Sequence, residues 1–277
     1  MNDTLTRMNA ATPPNRALRE RYGAWAVGTG ASDGIGRAFA TRLGSSGLNL
    51  VLVARRAVVL EELAAELAQN HGVVVKVIPA DLATTEGVRA VIDATQDLDV
   101  GILVAAAGFG TSGRFIDCLL ENELAMIEVN CRAVAALAHH FGKRFAERRR
   151  GALVLMSSLL AFQGVPRAAN YAATKAYVQS LAEGLRSELR PFGVDVIASA
   201  PGPIASGFAN RAAMTMSLAG TPESVAASTL RALGRAQTVR PGFLSKFLEL
   251  SLSFVPRWGR VRIMALVMAG MTKHRPA

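Results

Sequence analysis

Short, unbroken apolar runs alternate along this chain with longer segments whose apolar residues recur every three or four positions. The runs are WAVGT (25–29), LNLVLVA (48–54), VVVKVIPA (73–80), VGILVAAAG (100–108), ALVLMSS (152–158) and VDVIASAPG (194–202), with AQTVRPG (236–242) as a shorter seventh. Because they do not alternate apolar with polar positions, they read as strands covered on both faces, as in a parallel sheet. Between them lie helical patterns with recognisable ends. One follows Gly34, one stops at Gly72, one is capped at Thr84 or Thr85, and one starts at Thr221-Pro222. The two longest, 121–147 and about 170–190, each read as a single helix stopped by glycine or proline.

Strand–helix alternation without a repeat predicts one α/β domain: a doubly wound Rossmann fold, about seven parallel strands with right-handed crossovers and helices on both faces. Its expected span is 22–242, preceded by a flexible arm (1–21) and followed by a helical extension (243–277). The chain's 277 residues, 51% hydrophobic, suffice for one substantial core.

Charge divides the chain unevenly. Residues 23–230 carry 18 basic and 18 acidic groups, whereas 231–277 carry nine basic and one acidic. The body is therefore neutral, and a basic tail on a neutral body argues against nucleic-acid binding. Cys118 and Cys131 form no CxxC pair and read as buried thiols, and the four histidines have no metal-ligand spacing. The first 21 residues lack the apolar segment of a secretory signal, and no apolar stretch reaches the ~18 residues of a spanning helix. A cytoplasmic protein is expected, with room for association at a membrane surface.

The chemistry-bearing residues all fall just after strands, where parallel sheets bind ligands. Gly30, Gly34 and Gly36 in TGASDGIG lie between the first strand and its helix. Glycines there let backbone approach a pyrophosphate, and the helix N-terminus offers free N–H groups. Arg55 and Arg56 follow the second strand, where an adenosine ribose would lie. Arginines there suit a 2′-phosphate and favour NADPH over NADH. Tyr171 and Lys175 share one helix face, and a neighbouring ammonium would lower the phenol's high pKa.

Taken with Asp81, the AAAG run (105–108), Asn130 in EVNCRA, Ser158 thirteen residues before Tyr171, and PGPIAS (201–206), these motifs resemble the short-chain dehydrogenase/reductase family over residues 22–242. The resemblance implies catalytic roles. Tyr171 is the acid/base, Lys175 tunes it and holds ribose, Ser158 steadies the carbonyl oxygen, and Asn130 holds a relay water. It also implies a cofactor surface of Gly30, Ser32, Asp33, Gly34, Ile35 and Gly36, then Arg55, Arg56, Asp81 and Leu82. Ala107, Gly108, Tyr171, Lys175, Pro201, Gly202 and Ile204 complete it. Two departures stand out. The family's NNAG is AAAG here, which touches sheet bracing more than chemistry. Asp33 sits where some NADPH-dependent members carry a basic residue.

The tail alternates FLSKFLELSLSFV (243–255) and VRIMALVMAGM (261–271) around Pro256. It reads as a helical pair that packs on the domain or a dimer interface, or as a greasy basic element that covers a lipophilic substrate or lies on an anionic membrane. Tailed relatives such as long-chain 3-ketoacyl and 17β-hydroxysteroid reductases point toward lipid substrates. The expected activity is hydride transfer between NADPH and a lipophilic ketone or secondary alcohol. The alternatives are an NAD-dependent alcohol dehydrogenase and a dinucleotide sensor without turnover. Family members commonly pair through the two long helices, so a homo-oligomer is expected. Met214 and Met216 are candidates for a substrate lid.

Overall fold

The structure, a computed structural model, describes residues 17–208, 212, 219–242 and 254–271. Seven parallel strands are joined in the order β3-β2-β1-β4-β5-β6-β7. They are β1 (Trp25–Thr29), β2 (Asn49–Ala54), β3 (Val75–Pro79), β4 (Val100–Ala105), β5 (Gly151–Met156), β6 (Val194–Ser199) and β7 (Thr238–Val239). The order reverses direction between β1 and β4, which opens a crevice beyond their carboxyl ends.

The helices pack on both faces, and each face has its own core. One face joins Leu50, Leu52, Val104 and Val154 to Phe39 and Leu43 of α2 (Gly34–Gly44), Leu60 and Leu63 of α3 (Ala57–His71), and Val225 of α8 (Pro222–Ala232). The other joins Val27, Val53, Leu103 and Leu153 to Val91 of α4 (Thr85–Ala94), Phe141 of α6 (Ala133–Glu147) and Val178 of α7 (Ala169–Leu189). Consecutive strand residues point to opposite faces, and both faces are covered. That is why the strands are continuous apolar runs.

The ends of the helices follow local chemistry. The Thr84 hydroxyl accepts from the Gly87 N–H, and the Thr221 hydroxyl from the Ser224 N–H ahead of Pro222. Gly72, at φ 65°, closes α3 in the left-handed region.

Two boundaries differ from expectation. Residues Ala17–Tyr22 form helix α1, and Tyr22 is buried, so the expected limit of a flexible arm at residue 21 falls inside an ordered element. The expected single helix over 121–147 is α5 (Leu120–Ile127) and α6 joined by a π turn at Glu128–Arg132. Extra contacts of the inward-facing Asn130, described below, accompany that widened turn. In the tail, Arg257–Met271 form helix α9; residues 243–253 lie outside the described residues, as do Met214 and Met216.

Candidate active site

The glycine-rich turn is built by close approach. Gly30 (φ 68°) and Gly34 (φ 50°) adopt left-handed backbone. A Cβ on Gly30 would lie 2.9 Å from the Ala107 backbone, and one on Gly36 only 2.2 Å from the Gly30 carbonyl oxygen. The start of α2 is thus pressed onto the end of β1, and its N-terminus faces the crevice. Asp33 caps that helix: its Oδ1 accepts from the Gly34 N–H at 2.7 Å. The carboxylate takes one of the turn's N–H groups, so its part here is first that of a cap.

The arginines stand at the far edge of the same crevice. Arg56 donates to the Ser32 carbonyl (3.0 Å) and hydroxyl (3.1 Å), while Arg55 lies 3.9 Å from Asp81. Asp81 itself accepts from the Ala83 N–H at 3.0 Å, and Leu82 beside it is buried. In place of side-chain amides at AAAG, the Thr29 hydroxyl accepts from the Ala106 and Ala107 N–H groups, each at 3.0 Å. The chain therefore braces this loop through a strand hydroxyl. A Cβ on Gly108 would lie 2.9 Å from Asn130 Oδ1, so this glycine too is required by close packing.

One cleft of about 850 Å³ runs from Arg55, Arg56, Asp81 and Leu82, past Ser32, Ile35 and the glycine turn, to Ala107, Gly108, Ser158, Tyr171 and Lys175. Pro201, Gly202 and Ile204 form its other wall. The Pro201 carbonyl accepts from the Leu159 N–H at 2.9 Å, which ties that wall to the serine. A glycine turn at a helix N-terminus with two cations at one end of the cleft and a buried phenol at the other fits a dinucleotide.

Tyr171 and Lys175 are one turn apart on α7, and both are buried. Burial pushes the Tyr171 phenol up to about 12, a hydrogen bond with the Ser158 side chain pulling the other way. Burial also lowers the Lys175 ammonium to about 8, partly opposed by Cys131. The expected direction for the phenol, lowered by the lysine, is therefore corrected. Lys175 Nζ donates to the Met156 carbonyl (2.9 Å) and stands 5.7 Å from the tyrosine ring centroid, and desolvation dominates. The two serines are told apart by direction. Both line the cleft, but Ser157 donates back to the Lys175 carbonyl at 3.1 Å, whereas Ser158 hydrogen-bonds with Tyr171.

Asn130 is brought to the site but stands behind it. Its Oδ1 accepts from the Phe109 N–H (3.1 Å), and its Nδ2 donates to the Phe109 carbonyl (2.9 Å) and the Thr174 hydroxyl (3.0 Å). The side chain clamps the loop after β4 to α7.

Sequence reasoning missed several groups. Glu123 of α5 is buried and accepts from the Thr111 hydroxyl (2.6 Å) and from Asn170 Nδ2 (2.7 Å), the residue just before Tyr171. Its signal was a carboxylate at helical spacing from the buried Met126 and Val134. Phe208 tilts over the Tyr171 ring with centroids 5.3 Å apart, and nothing in its local sequence marked it. Met264 and Met268 of α9 are buried against the cleft, joined by Ile263, Val267 and Met271. The two cysteines form no disulfide, and both are half-buried rather than buried. Among the described residues no cluster of metal-ligating side chains occurs, and no helix is long and apolar enough to cross a membrane.

Comparison with known proteins agrees with this geometry. The family model for short chain dehydrogenases matches residues 24–216. A 7beta-hydroxysteroid dehydrogenase of Clostridium sardiniense is 37% identical over 180 residues, covering 65% of this chain and 69% of that one. A solved structure from work on 7beta-hydroxysteroid dehydrogenase stereoselectivity superposes with a TM-score of 0.82 at 30% identity, covering 89% of this chain and 98% of the other. A short-chain dehydrogenase from Sphingobium yanoikuyae in complex with NADPH gives 0.75 at 29% identity, with 91% and 98% covered. The matched span takes in the glycine turn, Ser158, Tyr171 and Lys175, and the chain belongs to the short-chain dehydrogenase family of oxidoreductases.

Proposed function

We propose that the protein is an NADPH-dependent carbonyl reductase, or the alcohol dehydrogenase of the reverse reaction, for a bulky lipophilic ketone of steroid or acyl type. The observation that carries this reading is a single cleft with arginines at one end, a buried Ser158–Tyr171–Lys175 cluster in the middle and an apolar wall of Met264, Met268 and Phe208 beyond. The similarity to 7beta-hydroxysteroid dehydrogenases supports the substrate class. The NADPH-bound neighbour and the pair Arg55–Arg56 support the phosphorylated cofactor.

When bound, the nicotinamide supplies or receives the hydride. The protein's own groups handle the proton and the geometry. Tyr171, held protonated by burial, donates its hydroxyl proton to the substrate oxygen as the negative charge develops there. The Ser158 hydroxyl stabilises that oxygen by a hydrogen bond. Lys175, anchored on the Met156 carbonyl, holds positive charge beside the phenol and helps its reprotonation. Asn130 acts through position: both hydrogens of its amide are donated within the protein, and its main-chain carbonyl in the π turn is the group that would meet a relay water. Arg55 and Arg56 would hold a 2′-phosphate, and Asp33 orders the turn.

Leu120, Leu124 and Ile127 of α5 and Tyr177 of α7 are exposed apolar residues on adjoining helices, which supports pairing with a second copy there. The experiment for the main reading follows nicotinamide absorbance with NADPH and ketones ranging from short and polar to steroidal. Oxidation of NADPH by a bulky ketone, lost in Tyr171→Phe, is the expected result. Equal use of NADH, or turnover confined to small polar ketones, overturns the cofactor or the substrate assignment respectively.

A further inference from the structure

Helix α9 has two apolar faces. One carries Met264 and Met268 into the cleft wall, both buried. The opposite face carries Trp258 (66% exposed) and Leu266 (77%), with Phe254 (84%) just ahead of the helix. Ile263 (38%) and Val267 (44%) belong to both, because they line the cleft and reach the surface. The outer patch therefore runs without a break onto the rim of the cleft. A contiguous apolar patch left at the surface marks a site that something else covers.

Charge selects what would cover it. Phe254–Met271 contains Arg257, Arg260 and Arg262 and no acidic residue, and 231–277 as a whole carries nine basic groups to one acidic. The Arg262 guanidinium lies 5.3 Å from the Trp258 ring centroid on the outer face. An aromatic flanked by arginines, with aliphatic residues beside it, suits a bilayer interface: rings sit at headgroup depth and guanidinium groups meet lipid phosphates. At fifteen residues α9 lies on such a surface rather than crossing it.

We propose that the outer face of α9 docks on an anionic bilayer and sets the rim of the cleft at the lipid surface, so that an apolar ketone enters from the lipid phase. The docking stands on α9 alone, and the delivery step rests on the lipophilic-ketone reading above.

The test uses the full-length protein and vesicles of phosphatidylcholine with and without phosphatidylglycerol. The chain has two tryptophans, Trp25 and Trp258. Expected results are co-sedimentation with the anionic vesicles, weakened by salt, and a blue shift of tryptophan emission that Trp258→Phe abolishes. Arg257→Gln with Arg262→Gln should lower vesicle affinity roughly 25-fold, at about five-fold per arginine. Leu266→Ser should raise the KM for a vesicle-dissolved ketone while leaving turnover of a water-soluble ketone unchanged. Absence of co-sedimentation overturns the proposal. So does binding that survives these substitutions without a Trp258 shift, which would place the contact elsewhere in the tail. A concentration-dependent dimer that Leu266→Ser dissociates would give the face to a second copy. Vesicle binding without turnover of any ketone would overturn the functional reading and the delivery step, and leave the docking intact.

Discussion

The two ends of the same sheet are built on opposite electrostatic plans. At the amino ends of the strands, charges meet opposite charges. Asp99 accepts from Arg148 (2.7 Å), Arg150 (3.2 Å) and the Ala24 N–H (3.0 Å); Asp195 accepts from Arg21 (2.7 Å) and Tyr22 (2.8 Å). A Cβ on Gly101 would sit 2.2 Å from the Tyr22 carbonyl oxygen, so the backbone is closed up there as well. At the carboxyl ends, the buried ionisable groups meet neutral partners. Lys175 has the Met156 carbonyl, Tyr171 has Ser158, and Glu123 has Thr111 and Asn170. Compensated charge fastens the chain. At Tyr171 and Lys175, uncompensated burial shifts proton affinities and leaves groups ready to exchange protons, at a cost in stability.

That contrast can be broken most sharply at Tyr171. Removing its hydroxyl in Tyr171→Phe should lower turnover on the order of 10³-fold, the usual scale for a lost general acid. The melting temperature should hold within a few degrees.

The lysine comes next. Its folded pKa of about 8 lies below the 10.5 of the free side chain, so the unfolded chain binds more protons between those values. The destabilisation is fully present below pH 8 and is relieved as pH rises from about 8 toward 10.5. Lys175→Met should accordingly stabilise the fold near pH 7, on the order of 2–4 kcal/mol, and flatten that rise in a denaturant series. In the wild type, kcat/KM for ketone reduction should fall as pH passes about 8 and the ammonium is lost, while the phenol stays protonated.

Arg55→Asp probes the distal end of the cleft. It should raise the KM for NADPH about ten-fold or more, a change of ~1.4 kcal/mol or above, and leave NADH nearly unaffected.

The smallest effect belongs to the fastened end. Asp99→Ala should cost about 1–2 kcal/mol, discounted for the half-exposed pairs it breaks, and lower the melting temperature by a few degrees with kcat unchanged. If this variant altered kcat, or Tyr171→Phe unfolded the protein, the division of labour between the two ends would fail.

What the sequence made legible follows the same line. Strands β2, β4, β5 and β6 announced themselves because burial on both faces demands continuous apolar runs. The glycine turn and the Tyr171–Lys175 pair were readable because each is set by local spacing. The π turn was not, since Glu123, Met126, Asn130, Val134, Leu137 and Phe141 keep an ordinary helical period through it. The sign of the Tyr171 shift was missed because it depends on burial, which arises from Phe208, α9 and the β5–β6 loops together. The partners of Asp195 lie more than 170 positions away along the chain, beyond the reach of any local pattern.

The strand order carries a consequence for how the chain is made. Each strand after β1 joins an edge laid down just before it, except β4, which must return to β1. During synthesis the free edge of β1 therefore waits from Thr29 until Val100 emerges. At the pace of a ribosome that interval is on the order of 4–14 seconds. For that time an apolar strand with unpaired backbone groups stands open, and it is then that the nascent chain is most exposed to mispairing with its neighbours on the same message.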